Sequence, residues 1–158
     1  MLGGFQVFVS GVALVAVTLA GASTAAAQTP AAPAEPTKPV LLLDEGDVAL
    51  VTIFIKPDKT ADFEVVLNKL KEALQKSEKP ERKQQAAGWK VFKSTQPGPQ
   101  NSVIYVMRID PVVKGQEYDI SRLIAEVFPV EVQELFAKYK DSFHGRSIAF
   151  LKSFMEMQ

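Results

Sequence analysis

Val48-Ala49-Leu50-Val51-Thr52-Ile53-Phe54-Ile55 is the stretch on which the fold turns. It is rich in β-branched residues and is stopped by Lys56-Pro57, so it reads as a strand. Side chains alternate across a strand. Val48, Leu50 and Phe54 therefore share one face, and Ala49, Val51, Ile53 and Ile55 the other. Both faces are apolar, so the strand is expected at the centre of a sheet with cover on each side. Downstream, Thr60 is placed to cap a helix, with Asp62 and Glu64 in its first turn complementing the dipole. Phe63, Val66, Leu67, Leu70 and Leu74 then form the apolar stripe of an amphipathic helix. Pro80 opens a second helical piece to Ala87, and Gly88 is the expected C-cap.

Trp89–Ser94 and Ser102–Ile109 read as two strands joined by the turn Gln96-Pro97-Gly98-Pro99. Asp119 should cap a helix carrying Ile120, Leu123, Ile124 and Val127. Pro129 breaks that run and begins another, with Val132, Leu135, Phe136, Tyr139 and Phe143 at helical spacing until Gly145. Ser147–Phe154 is expected to be the last strand. The order is β-α-β-β-α-β, an α+β ferredoxin-like fold with a four-stranded antiparallel sheet and a second helical region split in two. Helices cover one face of such a sheet. The other face is apolar here, and a second copy of the same sheet is the expected cover, giving a two-fold homodimer by sheet-to-sheet packing.

The first charged residue is Glu35. Before it, Phe5–Ala20 has the length of a signal-peptide core, and Ala25 and Ala27 suit a signal peptidase that cleaves before Gln28. The pattern Met1-Leu2-Gly3-Gly4 carries no Lys or Arg, which also admits an uncleaved anchor. After cleavage no membrane anchor would remain, and the chain would be exported, to the periplasm or the medium. Residues 28–46 read as a proline-rich linker, with Pro30, Pro33, Pro36 and Pro39 spaced by one polyproline turn. A stiff spacer and a ligand for a proline-binding groove are the two readings of it. Residues 47–158 then form the domain.

Cys is absent, so neither disulfides nor thiol chemistry contribute. With 18 basic and 18 acidic residues the charges balance, and nothing draws the chain to nucleic acid. One histidine with no clustered carboxylates predicts no metal site, and no cofactor motif is present.

Residues 47–155 resemble the dimeric α/β-barrel superfamily that includes the antibiotic-biosynthesis monooxygenase-like domains. The resemblance rests on Val48–Ile55 followed by Lys56-Pro57-Asp58-Lys59 and the Phe63-led helix. It also rests on Gly88–Lys93, its partner Val103–Ile109, and the run Phe128–Phe136. The chain is most similar to small exported members without an assigned activity. The resemblance implies either a binding or interaction module that takes a small apolar ligand, or a cofactor-independent monooxygenase-like enzyme. Such an enzyme would act on an aromatic or haem-type substrate in a cavity between helices and sheet.

Trp89, Tyr105 and His144 are the candidate residues for that chemistry. Each has a plainer reading: Trp89 and Tyr105 as core or interface aromatics, His144 as an exposed residue at a helix C-terminus. Tyr105 and Arg108 are three apart on a strand and point to opposite faces. Lys76, Lys79, Arg82, Lys83, Lys90 and Lys93 form a basic cluster that reads as a solvated surface, and Glu131 and Glu134 read as solvent-facing.

Overall fold

The computed structural model describes residues 38–155 and residue 157, so the signal segment and most of the proline-spaced tract lie outside the described residues. The elements run β1 (Val48–Ile55), α1 (Thr60–Lys76), α2 (Pro80–Gly88), β2 (Trp89–Lys93), β3 (Val103–Ile109), α3 (Ile120–Val127), α4 (Val132–Ser142) and β4 (Phe143–Leu151). The four strands lie in the order β2-β3-β1-β4, with every neighbour antiparallel. This α+β layout is compatible with a ferredoxin-like arrangement. Among the described residues no helix is long and apolar enough to cross a membrane.

Burial follows the strand period. Ala49, Val51, Ile53 and Ile55 of β1 and Tyr105, Met107 and Ile109 of β3 are buried on one face. They form one core with Phe63, Val66 and Leu70 of α1, Leu123 and Ile124 of α3, and Leu135 and Tyr139 of α4. The rings of Phe63 and Tyr105 meet edge-on at 4.9 Å, and those of Tyr139 and Phe143 at 4.6 Å. On the opposite face Val48, Leu50, Thr52 and Phe54 are only half-buried, and so are Ile104 and Val106. β1 is central, as its sequence predicts, but among the described residues no helix lies over one of its two faces.

Several boundaries differ from the expected ones for physical reasons. Pro57–Lys59 form a 3-10 turn before α1, so Thr60 is its first helical residue, not its cap. The Thr60 hydroxyl donates back to the Pro57 carbonyl at 2.9 Å. Gly88 is the last residue of α2, and Trp89 takes the cap. A Cβ on Gly88 would come within 3.0 Å of the Asp110 and Pro111 carbonyl oxygens, so close backbone approach requires glycine there. Asp119 caps α3 as expected, accepting from the Arg122 N–H at 3.1 Å.

The largest shift concerns the C-terminal strand. α4 stops at Ser142, not Gly145, because Phe143 is already paired with Ile55 of β1. His144 consequently lies in β4, exposed beside the register shift at Phe54/Ile55, and does not end a helix. At the far end Leu151 pairs with Val48, the first residue of β1. No β1 residue remains to pair with Lys152–Phe154, and Phe154 is 95% exposed.

The domain also begins earlier than Asp47. Leu43, assigned to the linker by sequence, is fully buried in the core. The backbone N–H groups of Val40 and Leu41 donate to the Glu117 carboxylate at 2.7 and 2.9 Å, and Tyr118 N–H donates to Leu41 O at 2.9 Å. The end of the linker is thus strapped across the loop before α3.

Candidate functional site

α1 buries Phe63, Val66, Leu70, Ala73 and Leu74, and the flank one position round the helix carries Glu64, Leu67, Asn68, Lys71 and Gln75. That flank overhangs β2, where Trp89 and Val91 face the helix layer. The result is a cleft of about 580 Å³ between α1 and β2, with Ala86 at one end. Its walls are mainly Leu67, Leu70, Leu74, Val91 and the Trp89 indole, and its rim is polar.

Trp89 is half-buried against Tyr118, with ring centroids 5.6 Å apart. Its Nε1–H is buried without an acceptor. Trp89 also borders a second, much smaller void of about 10 Å³ among Leu41, Leu43, Tyr118 and Tyr139. It therefore separates the open cleft from the interior of the core.

A polar group of three residues closes the Glu64 end. Tyr105 Oη donates to Glu64 Oε1 at 2.6 Å, and Lys93 Nζ lies 2.8 Å from the same oxygen. The Lys93 ammonium first, and the Tyr105 hydroxyl second, hold the Glu64 carboxyl below its ordinary value. Burial, reinforced by the neighbouring Glu64, pushes the Tyr105 phenol up to about 12. At neutral pH the pair is therefore a neutral phenol donating to a carboxylate. Neither group sits near the operating pH, as a general acid or base should.

Of the three sequence candidates, Trp89 lines the cleft, and Tyr105 bonds to Glu64, which also lines it. His144 does not join them. It is exposed on β4, the sheet edge opposite β2, three strand spacings or about 14 Å away. Arg108 pairs with Asp110 on the open face of the sheet, away from Tyr105 as the strand period requires. Glu131 and Glu134 are exposed and paired with Lys69 and Lys138. Among the described residues, no group of three His, Cys, Asp or Glu side chains could hold a metal ion.

The basic cluster proves only partly a surface. Arg82 is 5% exposed and makes a two-point contact with Glu126, at 3.0 and 2.6 Å. It also donates to Gln85 at 2.7 Å, and Gln85 in turn donates to the Glu117 carbonyl at 2.8 Å. Sequence reasoning missed this network. The available signal was the composition of α2, Pro80-Glu81-Arg82-Lys83-Gln84-Gln85-Ala86-Ala87-Gly88, which has no large apolar residue to bury. A helix of that kind docks with its polar side chains or not at all.

Comparison with protein-family models, curated proteins and solved structures returns no match to this chain.

Proposed function

We propose that the protein is an exported homodimeric binding module of the dimeric α/β-barrel type, whose ligand is a small apolar molecule held in the cleft between α1 and β2. The observation that carries this reading is the cleft itself: about 580 Å³, walled by aliphatic side chains and the Trp89 indole, within the range of ligand pockets. Glu64, beside it, is satisfied by both Tyr105 and Lys93, with the carboxyl lowered and the phenol raised away from neutrality, and the buried Trp89 Nε1–H is left without an acceptor. Such an arrangement favours holding a ligand over moving a proton. The rival reading, a cofactor-independent monooxygenase-like enzyme using Trp89, Tyr105 or His144, draws support only from Trp89 in the cleft wall and from Tyr105 bonded to Glu64, which lines the cleft.

The homodimer reading is supported by the open face of the sheet. Leu50, Phe54, Ile104 and Val106 are half-buried there, and Phe92 is 51% exposed. A contiguous apolar sheet face is a patch that soluble domains cover. Export rests on residues 1–27, and mass spectrometry of the exported protein beginning at Gln28 would support it.

Trp89 is the sole tryptophan, so its emission reports the cleft directly. Titration with a panel of apolar and aromatic compounds should shift that emission saturably, and Leu67→Gln should weaken the response at least tenfold. An emission spectrum unmoved by every compound would sink the binding reading. Oxygen uptake with a phenolic substrate would replace it by the enzyme.

A further inference from the structure

Of the three lysines in α1, two are already matched by acids. Lys69 lies 3.1 Å from Glu72 and 2.9 Å from Glu131, and Lys76 lies 2.7 Å from Glu72. The third, Lys71, is exposed, forms no ion pair among the described residues, and is the one that lines the cleft. Asn68 stands three positions before it and Gln75 four after, so the three side chains are neighbours on one flank of the helix. Neither amide makes a side-chain hydrogen bond among the described residues.

Among the described residues Glu64 is the only carboxylate in the lining. Its Oε1 already accepts from Tyr105 and faces the Lys93 ammonium at 2.8 Å, which offsets its charge. What stays unmatched around the cleft is donor capacity. It consists of the Lys71 ammonium, the N–H groups of the two amides, and the buried Trp89 Nε1–H. Between these groups the surface is apolar, made by Leu67, Leu70, Leu74 and Val91.

We infer that the ligand of this cleft is an amphiphilic carboxylic acid bound as its anion. The carboxylate sits on Lys71 between Asn68 and Gln75, and the apolar body lies on the leucines and the Trp89 indole. This names the ligand class for the binding reading above and rests on that reading. A carboxylate gains a charge-assisted bond there, roughly twice as strong as a neutral one, whereas an uncharged body leaves the ammonium to water. A cationic amphiphile would meet Lys71 and find no free carboxylate in the lining. Glu64 does not repel the head group. Seven residues of helix rise put it about 10 Å from Lys71, a Debye length in about 0.1 M salt, and Lys93 already neutralises it. Alkyl and aryl bodies both suit leucines beside an indole, and they share this head-group chemistry.

Trp89 emission reads the test in the full chain. Dodecanoate is compared with dodecanol and dodecyltrimethylammonium, and para-butylbenzoic acid with para-butylbenzyl alcohol, at neutral pH and below micellar concentrations. In at least one pair the acid should bind about tenfold more tightly than its alcohol, the gain expected of a hydrogen bond to a charged group. Lys71→Met should weaken the acid to the affinity of the alcohol, Lys71→Arg should keep the preference, and Lys76→Met should leave it unchanged. A preference in the dodecyl pair alone assigns an alkyl body, and one in the benzyl pair alone an aryl body. Equal affinities within both pairs, or tighter binding of the ammonium, would overturn the carboxylate and leave an apolar-ligand cleft standing. A preference that survives Lys71→Met, in a chain with wild-type circular dichroism, would overturn the head-group site. Emission unmoved by every one of these compounds would overturn both this inference and the binding reading.

Discussion

Arg82 of α2 and Glu126 of α3 meet through two N–H···O contacts of 3.0 and 2.6 Å, although 44 positions separate them in sequence. The guanidinium is almost wholly enclosed, and its remaining donors reach Gln85 and Gln116. One side chain thus joins two helices and the loop before α3.

Replacing Arg82 by Met should therefore be costly out of proportion to its place in a basic run. It leaves Glu126 only the exposed Lys79, 3.3 Å away, and strands two amide acceptors in a largely enclosed site, which costs about 3 kcal/mol, the low end for a broken buried pair because Glu126 keeps that partner and some solvent access. Lys138→Met, which removes an exposed helix pair with Glu134, should leave the urea midpoint unchanged. Equal midpoints for the two variants would refute the distinction.

Glu117 should make the strap sensitive to acid. Burial alone would raise its carboxyl, but N–H donors from Val40, Asp119, Leu41 and Tyr118 together outweigh it and hold the group below its ordinary value. The folded form then binds fewer protons than the unfolded one, so the contribution is complete above the ordinary carboxylate range and is lost as pH falls through the lowered value. Glu117→Gln should flatten that part of the stability profile and cost about 1–2 kcal/mol at pH 7. Amide exchange at Val40 and Leu41 should accelerate in the variant.

All three tyrosines have raised phenols, mainly through burial, with Tyr105 and Tyr139 pushed up to about 12. Unfolded tyrosine loses its proton near pH 10, so stability must decline as pH rises from there. Absorbance at 295 nm should show no ordinary tyrosinate step at pH 10. It should instead rise together with loss of the far-ultraviolet helix signal. A separate tyrosinate step in folded protein would contradict the burial of these rings.

The two faces of β1 should respond differently to charge. Leu50→Glu lies on the open face and should leave the monomer folded while abolishing the proposed dimer in sedimentation. Ile53→Glu places a carboxylate at a site 1% exposed in the core and should prevent folding. A Leu50→Glu protein that stays dimeric would remove the face-to-face interface.

Strand β1, the α1 stripe, the Asp119 cap and the break at Pro129 were legible because each is a local pattern, readable within one or two turns of chain. Boundaries set by pairing were not. His144 looked like a helix end because Phe143-His144-Gly145 carries a local stop signal, yet Ile55 claims Phe143 for the sheet. Leu43 looked like linker because nothing nearby in sequence shows the pocket that receives it. Trp89 and Tyr105 were identifiable as candidates, but Glu64 was not, since its role depends on a phenol 41 positions away.

The sequence by itself determined the element order, the apolar doubling of β1 and the absence of disulfide and thiol chemistry, since composition and short-range periodicity carry that information. Only the tertiary structure decided that α1 and β2 stand apart over a cleft and that Arg82 is enclosed. Those outcomes depend on how strands order themselves and which helix covers which strand. Such choices are made by contacts between residues far apart in the chain, and no local pattern encodes them.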